Sequence, residues 1–104
     1  MKLNKLLKNV DVVEIIKNEN VEIENLSQNS KTKKRNQLFF AINGYTTDVR
    51  KYVLEAISNG AVAIITQTKL ECDAVQVIVE DVRSAMATIC LIFLTLQKDY
   101  IWLV

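Results

Sequence analysis

The residues of this chain that could do chemistry fall in three places. One is a polar loop, Tyr45-Thr46-Thr47-Asp48, directly after an apolar run that ends on Asn43-Gly44. Its hydroxyls and ring suit hydrogen bonding and stacking rather than the making of bonds. Another is the basic stretch of Lys31, Lys33, Lys34 and Arg35, preceded by Ser30. Its ordinary loop composition reads as a solvated charge run, and it lacks the interleaved aromatics of a nucleic-acid contact. The last is Cys72 between Glu71 and Asp73, two carboxylates that could pair but lie in what reads as a surface turn.

Absences narrow the chemistry further. The sequence contains no histidine. The commonest general base is therefore missing, neither Cys72 nor Cys90 has an imidazole to activate it, and a Cys/His zinc site would lack half its ligands. The two cysteines have no metal or redox spacing; Cys90 reads as a small core residue and Cys72 as a free thiol. Only two glycines are present, Gly44 and Gly60, and neither precedes a lysine. No glycine-rich loop ending in Gly-Lys-Ser/Thr, the usual cradle of a triphosphate, can be built from them. What remains is binding.

The elements that must position these residues follow from periodicity. Leu38 to Ile42 is continuously apolar, as an interior strand should be. Thr47 or Asp48 can cap a helix whose Val49, Tyr52, Val53, Ala56 and Ile57 form one apolar stripe, and Gly60 stops it. Ala61 to Thr66 is the next strand, so Leu38 to Thr66 reads as a βαβ unit with the Tyr45 loop at the carboxyl end of its first strand. In α/β folds ligands are held at that end. Around this unit the pattern predicts a short amphipathic helix over 2–9, a strand over Val12 to Ile16, a turn over Lys17 to Asn20 and a half-buried strand over Val21 to Leu26. A strand over Val75 to Val79 follows. A last helix starts at Glu80-Asp81, with Val82, Ala85, Met86, Ile89, Phe93 and Leu96 on one side and Leu91 and Ile92 widening that face. The expected fold is α/β: a small mixed sheet of four or five short strands flanked by two main helices.

Length and composition agree with one domain over 1–104, able to bury roughly 65% of its unfolded surface. Half of the residues are hydrophobic, and the net charge is +1. The first 52 residues carry ten Lys/Arg against six Asp/Glu, the rest three against six. That mild basic bias suits an anionic ligand and falls far short of what nucleic acid demands. The twelve residues from Ala85 to Leu96 are too few to span a bilayer, and Met1 to Lys5 holds no apolar export segment, so a cytoplasmic, non-membrane protein is expected. The apolar ending Tyr100-Ile101-Trp102-Leu103-Val104 reads as a segment that docks on something.

Several of these residues, taken in order, resemble a family. Asn29-Ser30-Lys31, Leu38-Phe39-Phe40-Ala41-Ile42-Asn43-Gly44, Asp48, Tyr52 and Gly60-Ala61-Val62-Ala63 look like the N-terminal domain of a Mur ligase. The likeness is greatest to the UDP-N-acetylmuramoyl-tripeptide synthetases, over about residues 20 to 95. The family pattern runs roughly Asp-Ser-Arg, five residues, Asp-Leu-Phe-Val-Ala, two residues, Gly, three residues, Asp-Gly, and later Gly-Ala. The resemblance implies that this part of the chain grips the UDP end of UDP-N-acetylmuramoyl-L-alanyl-D-glutamate in peptidoglycan synthesis. By position, the contacts fall on Ser30 and on Tyr45, Thr46 and Thr47, with Gln28 near the base. A hydroxyl donor at Ser30 and amides at a helix N-terminus would suit diphosphate and uracil oxygens, and Tyr45 offers a ring face. ATP, Mg²⁺, the carbamylated lysine and the amino-acid site would belong to a central domain beyond the last residue here, so no cofactor is expected in this chain and alone it should not form peptide bonds. Its partners would be the UDP-N-acetylmuramoyl peptide and, against the final helix and tail, the other ligase domains or another protein.

Departures from the pattern support an alternative. The motif's Asp is Asn29 and its Arg is Lys31, which removes a planar bidentate pair. Asn36-Gln37 replaces a Gly-Asp that often precedes the strand, leaving a turn suited to positive φ without its glycine. Val49 stands where the glycine after Asp48 is expected. On that reading the chain is a non-catalytic, truncated remnant or interaction domain that has lost its ligand.

Overall fold

In the computed structural model of the chain, residues 1–17, 19–42, 49–70 and 72–96 are described. Their architecture is a five-stranded sheet with helices on both faces. In chain order the elements are α1 (Leu3–Leu6), β1 (Val12–Ile16), β2 (Asn25–Ser27), β3 (Gln37–Phe40), α2 (Val49–Ser58), β4 (Ala61–Thr66), β5 (Val75–Val79) and α3 (Val82–Leu96). The sheet order is β1-β5-β4-β3-β2. β2, β3, β4 and β5 are mutually parallel, and β1 closes one edge antiparallel to β5. The expected mixed sheet is thus present, with two main helices and one short helix.

Strand pattern explains the layering. Every residue of β3 and β5 is buried, as in parallel strands covered on both faces. Alternation then sends Leu38 and Phe40 to one core and Phe39 and Ala41 to the other. The first core also takes Leu3 and Leu6 from α1, Val75, Val77 and Val79 from β5, and Val82, Ala85 and Ile89 from α3. The second holds Val53 and Ala56 of α2 with Ala61 and Ile64 of β4. Between them, Ile64 and Ile65 are fully buried, each contributing about 1.5–3 kcal/mol. A bulge interrupts β4: Gln37 pairs with Ala61 but Leu38 with Ala63, so Val62 is left over and packs on the same side as Ala63.

Several expectations are corrected. The first helix covers Leu3–Leu6 rather than 2–9; its C-cap is Leu7, and a turn from Leu7 to Val10 leads the chain towards β1. Of the strand expected over Val21 to Leu26, only Asn25 and Leu26 join the sheet, in β2, which runs on to Ser27. The residues before it do alternate, with Ile23 fully buried, but they bond to the chain's start: Leu3 N–H donates to the Val21 carbonyl at 2.9 Å and Ile23 N–H to the Met1 carbonyl at 2.7 Å. The interior strand is Gln37–Phe40, one residue earlier at its start and two shorter at its end than the apolar run. Tyr52 is 43% exposed and lies beside, not within, the buried stripe of Val53 and Ala56. On α3 Leu91 does not widen the buried face: Leu91 and Leu94 are 68% and 66% exposed.

Other features follow from single residues. At the end of β1 the chain bends at Lys17, which takes φ 60° without being glycine, while Asn18 of the expected turn lies outside the described residues. Asp81 caps α3 through Oδ1, which accepts from the Arg83 and Ser84 amides at 3.0 and 3.2 Å. Both cysteines are free thiols. Cys72 packs against the α2-side core, and partial burial pushes the Cys90 thiol pKa up. Among the described residues no helix is long and apolar enough to cross a membrane, and none of their His, Cys, Asp and Glu side chains cluster in threes as a metal site would need.

Candidate functional site

The candidate site is built on the crossover from β2 to β3, residues 28–36. Parallel neighbours usually need a crossover of a dozen or more residues, commonly helical. This one has nine and no helix, so its backbone groups must find partners elsewhere. The first part folds on itself. Ser27, the last residue of β2, places its Oγ against both the Asn29 N–H and the Asn29 carbonyl, at 3.1 and 3.0 Å. Asn29 Oδ1 accepts from the Lys31 amide at 2.9 Å, and Thr32 N–H donates to the Asn29 carbonyl at 3.1 Å. Asn29-Ser30-Lys31-Thr32 is therefore an Asx-stabilised turn. It needs a side-chain oxygen at its first position, which Asn29 supplies as well as an aspartate would.

The middle and end of the crossover are tied to the C-terminus of α2. Asn59 Nδ2 donates to the Ser30 carbonyl at 2.8 Å, Lys34 N–H to the Asn59 carbonyl at 3.1 Å, and Gln37 N–H to the Gly60 carbonyl at 3.1 Å. Gln37, 2% exposed, sends its Nε2 to the carbonyls of Thr32 and Asn59 at 2.8 and 3.0 Å. Gly60 has φ 117°, and a Cβ there would lie 2.0 Å from the Lys34 carbonyl oxygen. Glycine is required both by backbone angle and by the close approach of the crossover. Asn36 takes φ 53°, so the turn before β3 does need positive φ, and asparagine tolerates it. Its side chain and Arg35 both donate to Glu24, which holds the Glu24 carboxyl below the usual carboxylate range; the Arg35 hydrogen bond is the larger cause.

The sequence-predicted residues are placed as follows. Ser30 is 6% exposed, and its hydroxyl donates to Glu55 Oε1 in the middle of α2. That removes the self-bonded turn serine as an account of it. Gln28 is exposed at the end of β2, two residues from Ser30. Tyr45, Thr46, Thr47 and the Asp48 cap lie outside the described residues, as do Glu71 and the Tyr100–Val104 ending. Sequence reasoning missed Gln37, Glu55 and Asn59. Only the family's polar residue at the position of Gln37 could have hinted at the first. Lys33, Lys34 and Arg35 line a shallow depression of about 510 Å³ with Ser58, Asn59 and Gly60, at the amino edge of β4. Arg35 pairs there with Glu24 at 3.2 Å, so part of the basic charge is already offset.

No protein-family model matches the chain. Its homologues are nevertheless Mur ligases. A UDP-N-acetylmuramoyl-L-alanyl-D-glutamate–2,6-diaminopimelate ligase of Caldanaerobacter subterraneus subsp. tengcongensis is 47% identical over 91 residues, 86% of this chain and 19% of that protein. The ligase of the same name from Halalkalibacterium halodurans is 37% identical over 89 residues, 86% of this chain and 18% of its own. The chain thus spans about a fifth of the length of the curated relatives it matches. Among solved structures, MurF of Acinetobacter baumannii shares the fold with a TM-score of 0.70 at 21% identity, over 82% of this chain and 19% of that one. That likeness speaks for the fold, and the sequence likeness for homology to Mur ligases.

Proposed function

We propose that these residues form the substrate-recognition domain of a Mur ligase, the N-terminal one, holding the UDP end of UDP-N-acetylmuramoyl-L-alanyl-D-glutamate during peptidoglycan precursor synthesis. The observation that carries this reading is the 47% identity over 86% of the chain to a ligase named for that substrate. The intact Asn29–Thr32 turn, pinned to α2, supports it. Ser30 and Gln28 on this crossover, with Tyr45, Thr46 and Thr47 on the loop after β3, would contact the nucleotide. ATP, Mg²⁺ and the acceptor amino acid would be held by other parts of a ligase, since these 104 residues carry no Gly-Lys-Ser/Thr loop. Such a ligase would work in the cytoplasm, where its nucleotide-linked substrate is made.

A titration with UDP-N-acetylmuramoyl-L-alanyl-D-glutamate, followed through amide shifts by NMR, tests the reading. Saturable shifts at Gln28, Ser30 and 45–47 are expected. A dispersed spectrum that does not move overturns it and leaves a second reading, a domain that has lost its ligand and serves as a docking surface. One observation favours that alternative: Leu91 and Leu94 are exposed on α3, next to a groove of about 460 Å³ lined by Lys5, Lys8, Asn9, Leu91, Ile92 and Thr95. The occupant would be the remaining ligase domains or another protein.

A further inference from the structure

We infer that Glu55 is a positioning residue of the nucleotide site, which commits the single Ser30 hydroxyl proton and so makes Ser30 an acceptor for an N–H or O–H of the nucleoside. This rests on the reading that the chain holds a uridine nucleotide. A serine hydroxyl has one proton to give and two lone pairs to receive with. Here the proton points to Glu55 Oε1, a charge-assisted bond of the stronger kind. Asn59 Nδ2 fixes the Ser30 carbonyl from the same helix end at 2.8 Å, and Gln37 Nε2 joins Thr32 to Asn59. The hydroxyl therefore sits on a turn held at both ends and does not swing freely.

A diphosphate offers only acceptors at neutral pH. To bond Ser30 it would have to take the proton from Glu55 and lie one hydroxyl away from that carboxylate, against like-charge repulsion. Uridine instead offers the uracil N3–H and the ribose hydroxyls, all donors. Ser30 is thereby assigned to the nucleoside end of the ligand rather than to its phosphates, the reverse of what a free hydroxyl donor would suggest. Glu55 touches no ligand in this arrangement; its whole effect passes through Ser30.

The test is an NMR titration with UDP and, separately, with uridine. It uses the wild-type chain and the variants Ser30→Ala, Glu55→Ala, Glu55→Gln and Ser30→Ala with Glu55→Ala. Loss of one hydrogen bond weakens binding about 2- to 12-fold. Ser30→Ala should weaken UDP and uridine by the same factor. Glu55→Ala should weaken both, Glu55→Gln should recover part of the loss through its own carbonyl oxygen, and the double variant should bind no worse than Ser30→Ala alone. A Ser30→Ala loss confined to UDP would put Ser30 on the phosphates and overturn the assignment, as would additive losses in the double variant. If Glu55→Ala does not give a dispersed spectrum, the Glu55→Gln and Ser30→Ala comparison decides. Failure of the wild-type chain to bind UDP overturns the nucleotide reading itself, and this assignment with it.

Discussion

Among the described residues, two crossovers in this sheet join parallel strands without a helix: 28–36 between β2 and β3, and 67–70 with 72–74 between β4 and β5. Both begin alike. The last residue of the strand, Ser27 or Thr66, turns its hydroxyl onto the backbone two residues ahead, at Asn29 or Thr68. Both end on a strand with a buried glutamine, Gln37 or Gln76, each 2% exposed. The glutamines then behave differently. Gln76 clamps one residue, accepting from the Leu70 N–H at 2.7 Å and donating to the Leu70 carbonyl at 2.6 Å. Gln37 donates to two carbonyls in different segments, Thr32 in the crossover and Asn59 after α2. The second crossover is clamped by its own glutamine and tied to the end of β1 and the start of α3, through Lys17 Nζ on the Asp73 carbonyl at 2.9 Å and Gln67 Nε2 on the Glu80 carbonyl at 2.7 Å, whereas the first is joined to the helix that carries Glu55. A short parallel connection can be stabilised either way, but only the first crossover is coupled to α2 and its Glu55 side chain. Ser30 lies on the coupled one.

Gly60→Ala should break this coupling most severely. It places a Cβ 2.0 Å from the Lys34 carbonyl at a positive φ, and the clashing atom is backbone, which has no rotamer to escape into. A loss of about 3 kcal/mol or more is expected, read as a fall in the urea midpoint. A midpoint close to that of the wild-type chain would mean that the crossover does not press on Gly60 in solution.

Gln76→Leu and Gln37→Leu sharpen the comparison, because their order in stability and in binding should be opposite. Gln76→Leu strands both the N–H and the carbonyl of Leu70, at an expected cost of about 2 kcal/mol. Gln37→Leu is milder, about 1 kcal/mol, since the Asn59 carbonyl keeps the Lys34 N–H at 3.1 Å. Yet the milder change loosens the turn that holds Ser30. UDP affinity should therefore fall for Gln37→Leu and stay at the wild-type value for Gln76→Leu. Equal affinities in the two variants would show that the crossovers are equivalent and that the link to α2 has no bearing on the site.

This asymmetry could not be read from the sequence, whereas the frame around it could. The buried strands announce themselves as unbroken apolar runs, and α2 and α3 as apolar residues at helical spacing, because burial on a regular element forces a regular pattern. Gly60 was legible for the same kind of reason, as a glycine between a helix and a strand. Gln37 and Gln76 were not: a glutamine at a strand position says nothing of what returns to meet it, and the carbonyls it satisfies belong to loops. Ser30 and Glu55 lie 25 residues apart, so their bond is set by packing alone. The alternating Val21 to Leu26 misled differently. Its half-burial is real, but from Val21 to Ile23 its partner is the chain's own beginning, and only Asn25 and Leu26 pair with a sheet strand. Asn36 stands where the family pattern has glycine, and asparagine tolerates the φ of 53° found there.

The smallest effect expected is electrostatic and belongs to the entry of the first crossover into β3. The Glu24 carboxylate accepts from Arg35 at 3.3 Å and from the Asn36 amide, while the Glu24 and Asn25 N–H groups bond the Asn36 carbonyl at 2.9 and 3.3 Å. The folded-state pKa of Glu24 is lowered, first by the Arg35 hydrogen bond and then by that of Asn36. A lowered folded pKa means that the unfolded chain binds the proton more readily, so this group contributes stability above its ordinary carboxylate value and loses it as pH falls through the folded one. Glu24→Gln should thus lower stability slightly at neutral pH, where the charged carboxylate contributes, and flatten the acid limb, leaving the acid end little changed. It should not abolish that limb, because Glu22, lowered by its hydrogen bond to the terminal amine, carries the same sign. Both carboxylates are solvent-exposed, so the effect should shrink further as salt is raised. Urea midpoints measured from neutral to acid pH at low and high salt check this. An acid limb that is identical in Glu24→Gln would mean that the ion pair at the mouth of β3 is not formed in solution, and that the positive-φ turn at Asn36 is held by its backbone bonds alone.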